Sequence, residues 1–183
     1  MLRVIAGEAR SVPLMTLEGK ETRPTTDRVK ETLFNLLQND IYDCRFLDLF
    51  AGSGQIGIEA LSRGAKEAVF IEKNKKAVDI IEKNLTKTKL SDRAHLLRKD
   101  VLSALPFLGE TYDIIFMDPP YALEIENQVL ESISSHNLLD EDGFIVIEAD
   151  KDRDFSFVDE TGFSIVKEKV YKTNKHVFLR SKK

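Results

Sequence analysis

The chain of 183 residues suffices for one domain with a full core, and its 42% apolar and 32% charged content excludes a fibrous or disordered class. No apolar run approaches the ~20 residues of a bilayer-spanning helix, and a lone cysteine, Cys44, excludes an internal disulfide or a cysteine metal cluster. The net charge of -4 is unevenly spread: residues 1–40 balance, residues 41–150 carry 12 basic against 20 acidic side chains, and residues 151–183 carry nine against five. A polyanion would therefore meet selected edges of the molecule. The opening Met1-Leu2-Arg3-Val4-Ile5 lacks the long apolar segment of a signal peptide, so the expected compartment is the cytoplasm.

Residues 1–22 read as short extended pieces, with Gly7 and Gly19 available for turns. Pro24 holds Arg23 extended, Thr25 or Thr26 can cap a helix, and Val29, Leu33, Leu36 and Leu37 recur at helical spacing over 27–38. From residue 45 strands and helices alternate. Strands are expected at 46–50, 68–71, 94–97, 112–117 and 144–147, and helices at 56–63, 74–85, 102–108 and 124–135. Asn74 is placed to cap its helix and Gly64 to end another. Apolar strands separated by helices predict an α/β fold with a mostly parallel sheet covered on both faces. Residues 163–171 and 176–180 read as strands joined at 172–175, an antiparallel C-terminal hairpin. The expected division is an N-terminal extension over 1–40 and one α/β domain over 41–183.

Asp48-Leu49-Phe50-Ala51-Gly52-Ser53-Gly54-Gln55-Ile56-Gly57 places G-x-G-x-x-G after a strand and before a helix. Glycine lets the backbone approach a ligand, and the helix start offers unpaired N–H groups. Glu72 ends the next strand, where a carboxylate can accept ribose hydroxyls, and Asp100 follows the third strand, within reach of an adenine amine. Both NAD and S-adenosylmethionine suit this frame. Asp48 favours the second, since a carboxylate repels a pyrophosphate and attracts a sulfonium bearing an amino group.

Asp118-Pro119-Pro120-Tyr121 follows the fourth strand. An exocyclic base amine is a poor nucleophile because its lone pair is delocalised into the ring. Two acceptors aimed at its hydrogens help it pyramidalise: the Asp118 carboxylate and the Pro119 carbonyl, held in direction by consecutive prolines. Tyr121 offers a face on which a splayed base can stack. His95, His136 and His176 lack metal-ligand spacing, so no metal is expected. Arg3, Arg10, Arg23, Arg28 and Lys30 are candidates for a patch facing nucleic acid, while Lys167, Lys169, Lys172, Lys175 and Arg180 read as a solvated hairpin face.

Taken together, residues 48–54, the continuation Gly57-Ile58-Glu59-Ala60-Leu61-Ser62-Arg63-Gly64-Ala65, the stretch Arg23-Pro24-Thr25-Thr26-Asp27-Arg28 to Asn35, and Asp118 to Tyr121 resemble the bacterial small-subunit (16S) ribosomal RNA guanine-N2-methyltransferase family, of the D type. The resemblance implies a Rossmann-like, class I S-adenosylmethionine-dependent methyltransferase: a mostly parallel seven-stranded sheet with an antiparallel C-terminal hairpin and an N-terminal β-hairpin. It implies methylation of a guanine 2-amino group in RNA of an assembling small ribosomal subunit. Asp48, Phe50, Gly52, Ser53, Gly54, Glu72, Lys73, Asp100 and Val101 would line the cofactor. Asp118, Pro119, Pro120 and Tyr121 would handle the base, and Arg10, Arg23, Thr25, Thr26 and Arg28 would meet the substrate. DNA adenine or protein glutamine methylation uses similar chemistry and stands as the alternative.

Overall fold

In the computed structural model, which describes residues 1–18 and 26–183, strand and helix alternate from residue 45 as the apolar periodicity predicts. The strands are β1 Arg45–Leu49, β2 Glu67–Ile71, β3 Ala94–Leu97, β4 Tyr112–Met117, β5 Leu139–Asp150, β6 Phe163–Val170 and β7 Asn174–Ser181. The helices are α1 Asp27–Leu36, α2 Gln55–Ser62, α3 Lys75–Thr88, α4 Val101–Ala104 and α5 Glu126–Ser135. The seven strands form one sheet in the order β3-β2-β1-β4-β5-β7-β6. The first four neighbouring pairs are parallel, and β7 pairs antiparallel with both β5 and β6. The fold is the mostly parallel α/β sheet expected of a Rossmann-like methyltransferase, with the antiparallel C-terminal hairpin in place.

Alternation along each strand divides the core. Phe46, Phe70, Phe116, Val146 and Phe178 face a layer made by α1, α2, α3 and the first residues of the chain, including Leu33, Ile58, Ile81 and Val4. Leu47, Leu49, Ile115, Met117 and Ile147 face the opposite layer, which includes Val101, Val129 and Ile133. Burying both faces explains why these strands are almost purely apolar.

Local signals set the helix starts. Asn74 Oδ1 accepts from the amides of Lys76 (2.9 Å) and Ala77 (3.3 Å), and Thr26 Oγ1 accepts from that of Val29 (3.3 Å). The helix expected over 124–135 is α5, which starts two residues later, after a 3-10 turn at Tyr121–Leu123. The hairpin turn is also shorter than expected, because Asn174 and Lys175 already pair in the sheet. Lys175 is not solvated. It is buried and lies over the Phe155 ring at 5.2 Å.

The expected N-terminal β-hairpin is present in short form: Val4 N donates to Val12 O (3.0 Å), Ser11 N to Val4 O (2.8 Å) and Leu14 N to Leu2 O (2.8 Å), around the antiparallel bridge of Arg3 with Pro13. Pro13 sits at the non-hydrogen-bonded position of this pair, where its missing N–H costs no ladder bond. The hairpin is further held by side chains of the helices beneath it. The amides of Ile5 and Ala6 donate to Glu59 Oε2 (2.9 Å) and Oε1 (3.0 Å), and the amide of Ala9 donates to Ser62 Oγ (2.9 Å). Gly7, at φ 86°, lies so close to Ser62 that a Cβ would enter its backbone. Asn84 of α3 acts as a third anchor: Oδ1 accepts from Met15 N (2.8 Å), and Nδ2 donates to Met15 O (3.0 Å).

Lys30 corrects the sequence reading. Instead of joining a surface patch it is fully buried, donating to Arg3 O at 2.6 Å with Glu59 Oε2 3.6 Å away. Burial lowers its pKa, and Glu59 opposes that shift. Of the expected stripe Val29, Leu33, Leu36 and Leu37, Leu33 and Leu37 are buried and Val29 and Leu36 partly so, while Lys30 and Phe34 complete the buried face of α1.

Candidate active site

β1, β2, β3 and β4 all end on one edge, where Leu49 pairs with both Ile71 and Met117, and Ile71 with Leu97. The segments that follow these four strands are therefore brought together, as ligand sites in open α/β sheets require. They contain the glycine turn, Glu72, Asp100 and Asp118 to Tyr121.

The glycine turn is left-handed at Phe50 (φ 59°), Gly52 (φ 59°) and Gly54 (φ 79°), and Gly54 N donates to Ala51 O at 2.8 Å. A Cβ on Gly52 would meet nothing within 4 Å, so its surroundings are open to a ligand. Gly57, by contrast, lets α2 pack on β2: a Cβ there would enter the Phe70 ring. Glu72 supports the turn from below, accepting from Gly52 N (2.9 Å) and Asn74 N (2.9 Å). Ser53 is half-buried, and its carbonyl accepts from Asn84 Nδ2 at 3.0 Å. Lys73 is exposed and Val101 buried, while Asp100 is exposed and caps α4 through Ser103 N (3.4 Å).

Asp48 is only 2% exposed, and its Oδ2 accepts from the Gly57 amide at 3.0 Å. Burial pushes its pKa up to about 7; the Gly57 hydrogen bond opposes the shift, and Glu72 adds to it. Asp118 lies on the same sheet face, beyond Phe116. Burial raises its carboxyl well above the usual range, and Glu148 and then Asp48 add to the shift. Strongly perturbed carboxyls gathered at the ligand edge of a sheet are a functional signature. Pro119 is buried, Pro120 exposed, and Tyr121 half-exposed at 50%, with Leu123 N turning back to Pro120 O at 3.0 Å.

The candidates for meeting substrate are dispersed. Thr26 and Arg28 are exposed at the start of α1, next to the Arg3–Asp27 ion pair (3.0 Å). Arg10 is exposed on the turn near Ser62, at the far end of α2, about 12 Å along that helix from the glycine turn. Arg23 and Thr25 lie outside the described residues, as does Pro24. Sequence reasoning missed Gln55, whose Oε1 is buried at the start of α2 without a hydrogen-bond partner, and the buried Glu148–His176 pair (2.9 Å). A charged residue at the inward position after Val146 is the signal that could have revealed the latter.

The order of the sheet and its superposition on a structure described as a methyltransferase make this a Rossmann-like methyltransferase fold of class I. The family described as conserved hypothetical protein 95 matches residues 2–180, and the chain belongs to it. It is 40% identical over 154 residues to a Bacillus subtilis (strain 168) protein provisionally named an rRNA methyltransferase, covering 82% of this chain and 84% of that one. It is 37% identical over 174 residues to ribosomal RNA small subunit methyltransferase D of Haemophilus influenzae, covering 92% and 88%. An Escherichia coli structure provisionally described as a methyltransferase superposes with a TM-score of 0.88 at 33% identity, covering 98% and 97%.

Proposed function

We propose that this chain transfers a methyl group from S-adenosylmethionine to the exocyclic 2-amino group of a guanine in small-subunit ribosomal RNA. The observation that carries this reading is the position of Asp118 to Tyr121 directly after β4, beside the glycine turn that follows β1. The names borne by the relatives support the choice of RNA. The open space at Gly52 and the orphaned Gln55 Oε1 fit a bound cofactor that brings its own donors. When bound, S-adenosylmethionine supplies the electrophilic methyl. Glu72 and Asp100 would hold its ribose and adenine, and Phe50, Ser53, Gly54, Lys73 and Val101 would line it. Asp48, ionised, would compensate its positive charge. Asp118 and the Pro119 carbonyl would accept from the amine, Pro120 would fix their direction, and Tyr121 would stack on the base.

On this reading residues 1–40 form an extension to a methyltransferase domain over 41–183, with Arg23, Thr25, Thr26 and Arg28 on the substrate side. Arg10 would touch RNA only if it reached along α2. Among the described residues no helix is long and apolar enough to cross a membrane; work on an assembling ribosomal subunit in the cytoplasm belongs to the same proposal. The test is methyl transfer to assembled small subunits, naked ribosomal RNA and duplex DNA, with mass mapping of the product. Methylated guanine in the RNA is expected; product on DNA alone would overturn the reading. Asp118→Ala is expected to abolish transfer while S-adenosylmethionine still binds.

A further inference from the structure

Asp118 does not stand alone. Met117, the last residue of β4, pairs with Ile147, and Glu148 pairs with His176, so Asp118, which follows β4 directly, comes to the level of Glu148 on β5 and His176 on β7. Each is two positions from Phe116, Val146 or Phe178, which share the face covered by α1–α3, so all three belong to that face. His176 is fully buried and Glu148 is 6% exposed. Glu148 Oε2 lies 2.9 Å from His176 Nε2, and Oε1 accepts from Asn174 Nδ2 at 3.1 Å. His176 Nδ1 lies 3.1 Å from the hydroxyl of Tyr171, which is only half-buried. The result is a hydrogen-bonded row that starts beside the catalytic turn and ends near solvent.

Chemistry gives the row a task. When the amine nitrogen bonds to the methyl carbon, the carbon–sulfur pair stays on sulfur, and nitrogen carries one hydrogen too many. Returning to a neutral secondary amine releases that proton, and the Asp118 carboxylate is placed to take it. A methylated base and a spent cofactor held in front of Asp118 would stand in the direct way out. We propose that Asp118 and Glu148 share this proton and that His176 and Tyr171 pass it to solvent, making the row the exit route of the reaction. This rests on the reading of Asp118 as the acceptor for the amine. Two carboxylates side by side in a low-dielectric setting hold one proton between them more readily than two charges or none. An imidazole bridging carboxylate and phenol can take a proton on one nitrogen and release one from the other. Glu148, His176 and Tyr171 are relay residues rather than groups in contact with substrate. The other charged groups around the row are Asp48 on the cofactor side and, beyond His176, Lys169 and the Lys175–Glu168 pair.

Two readouts test it. Carboxyl-carbon NMR of the full chain needs no methyl acceptor. Asp118 and Glu148 are expected to titrate together, and Glu148→Gln, which keeps the shape of the side chain, is expected to lower the midpoint of Asp118. In turnover, Glu148→Gln is expected to reduce kcat about tenfold or more, to move its acid limb to lower pH, and to leave the Kd for S-adenosylmethionine within about twofold. Tyr171→Phe is expected to lower kcat severalfold and raise its solvent isotope effect. Independent titration of the two carboxyls, or an unchanged kcat and pH profile in Glu148→Gln, overturns the relay and leaves the proposed function standing. Coupled titration without guanine methylation supports the shared proton and sinks the functional reading instead.

Discussion

At the scale of single residues, Asp48 shows how a motif letter and its physical state differ. The sequence places a carboxylate at a strand end; the structure buries it against the Gly57 amide with a pKa of about 7, instead of the ordinary 3.8. The folded chain therefore holds a proton that the unfolded chain has already lost between about pH 4 and 7. Stability contributed by the neutral carboxyl is present at low pH and declines as pH rises through that window. Asp48→Asn should flatten this part of the stability–pH curve, which denaturant titration at several pH values reads directly. A sulfonium ligand favours the ionised form. Affinity for S-adenosylmethionine should consequently strengthen as pH rises through about 7, while the neutral thioether product S-adenosylhomocysteine should respond less. Calorimetry with both ligands would show the divergence; parallel curves would mean that Asp48 does not sense the charge. Gly57→Ala needs no titration. Its Cβ would enter the Phe70 ring, so a loss of about 1–3 kcal/mol is expected from overpacking.

At the scale of elements, what could be read from sequence follows from how local each signal is. Asn74, Thr26 and Gly64 act within a few residues, and the structure uses Asn74 and Thr26 as expected. The central strands β1, β2 and β4 were visible because burial on both faces makes them largely apolar. α1 was located with Leu33 and Leu37 inward, but the burial of Lys30 beside them was not legible, since its partner, Glu59, is 29 residues away. No window on α1 contains that information. The Glu59 carboxylate receives Ile5 N, Ala6 N and Arg63 Nε (2.9 Å), and Lys30 lies close by, so this one acid joins three elements. Lys30→Met should cost about 3–5 kcal/mol, because it leaves part of a buried charge uncompensated. At about 2–4 °C per kcal/mol, a melting point lowered by roughly 10 °C is the expected readout. A shift under 2 °C would show that Arg63 suffices alone.

At the scale of the molecule, the sheet topology and its ligand edge were legible because alternating strand and helix patterns permit few right-handed arrangements. How an acidic chain holds RNA was not legible, since charge along a sequence does not say which charges are spent on one another. Lys30, Lys175 and Arg93, which pairs with Glu8, are spent in this way, whereas Arg28 stays on the surface. Were two or three of the exposed cations to meet phosphates, raising salt from 50 to 200 mM should weaken RNA capture roughly tenfold, far below the thousandfold of a strongly basic binder. Filter binding over a salt series measures this slope, and a steep slope would mean that more of the exposed lysines, such as those of α3, meet the RNA.

One amide offers a way to watch the enzyme from within. The carboxamide of Asn84 holds Met15 N with its oxygen and the Ser53 carbonyl with its nitrogen, so the Met15 proton and the glycine turn hang from the same planar group. Whatever steadies the turn should slow the exchange of that proton with deuterium, even though Met15 itself need touch no ligand. Its exchange rate becomes a built-in gauge of occupancy that needs no label and no methyl acceptor, and Asn84→Ala should silence it.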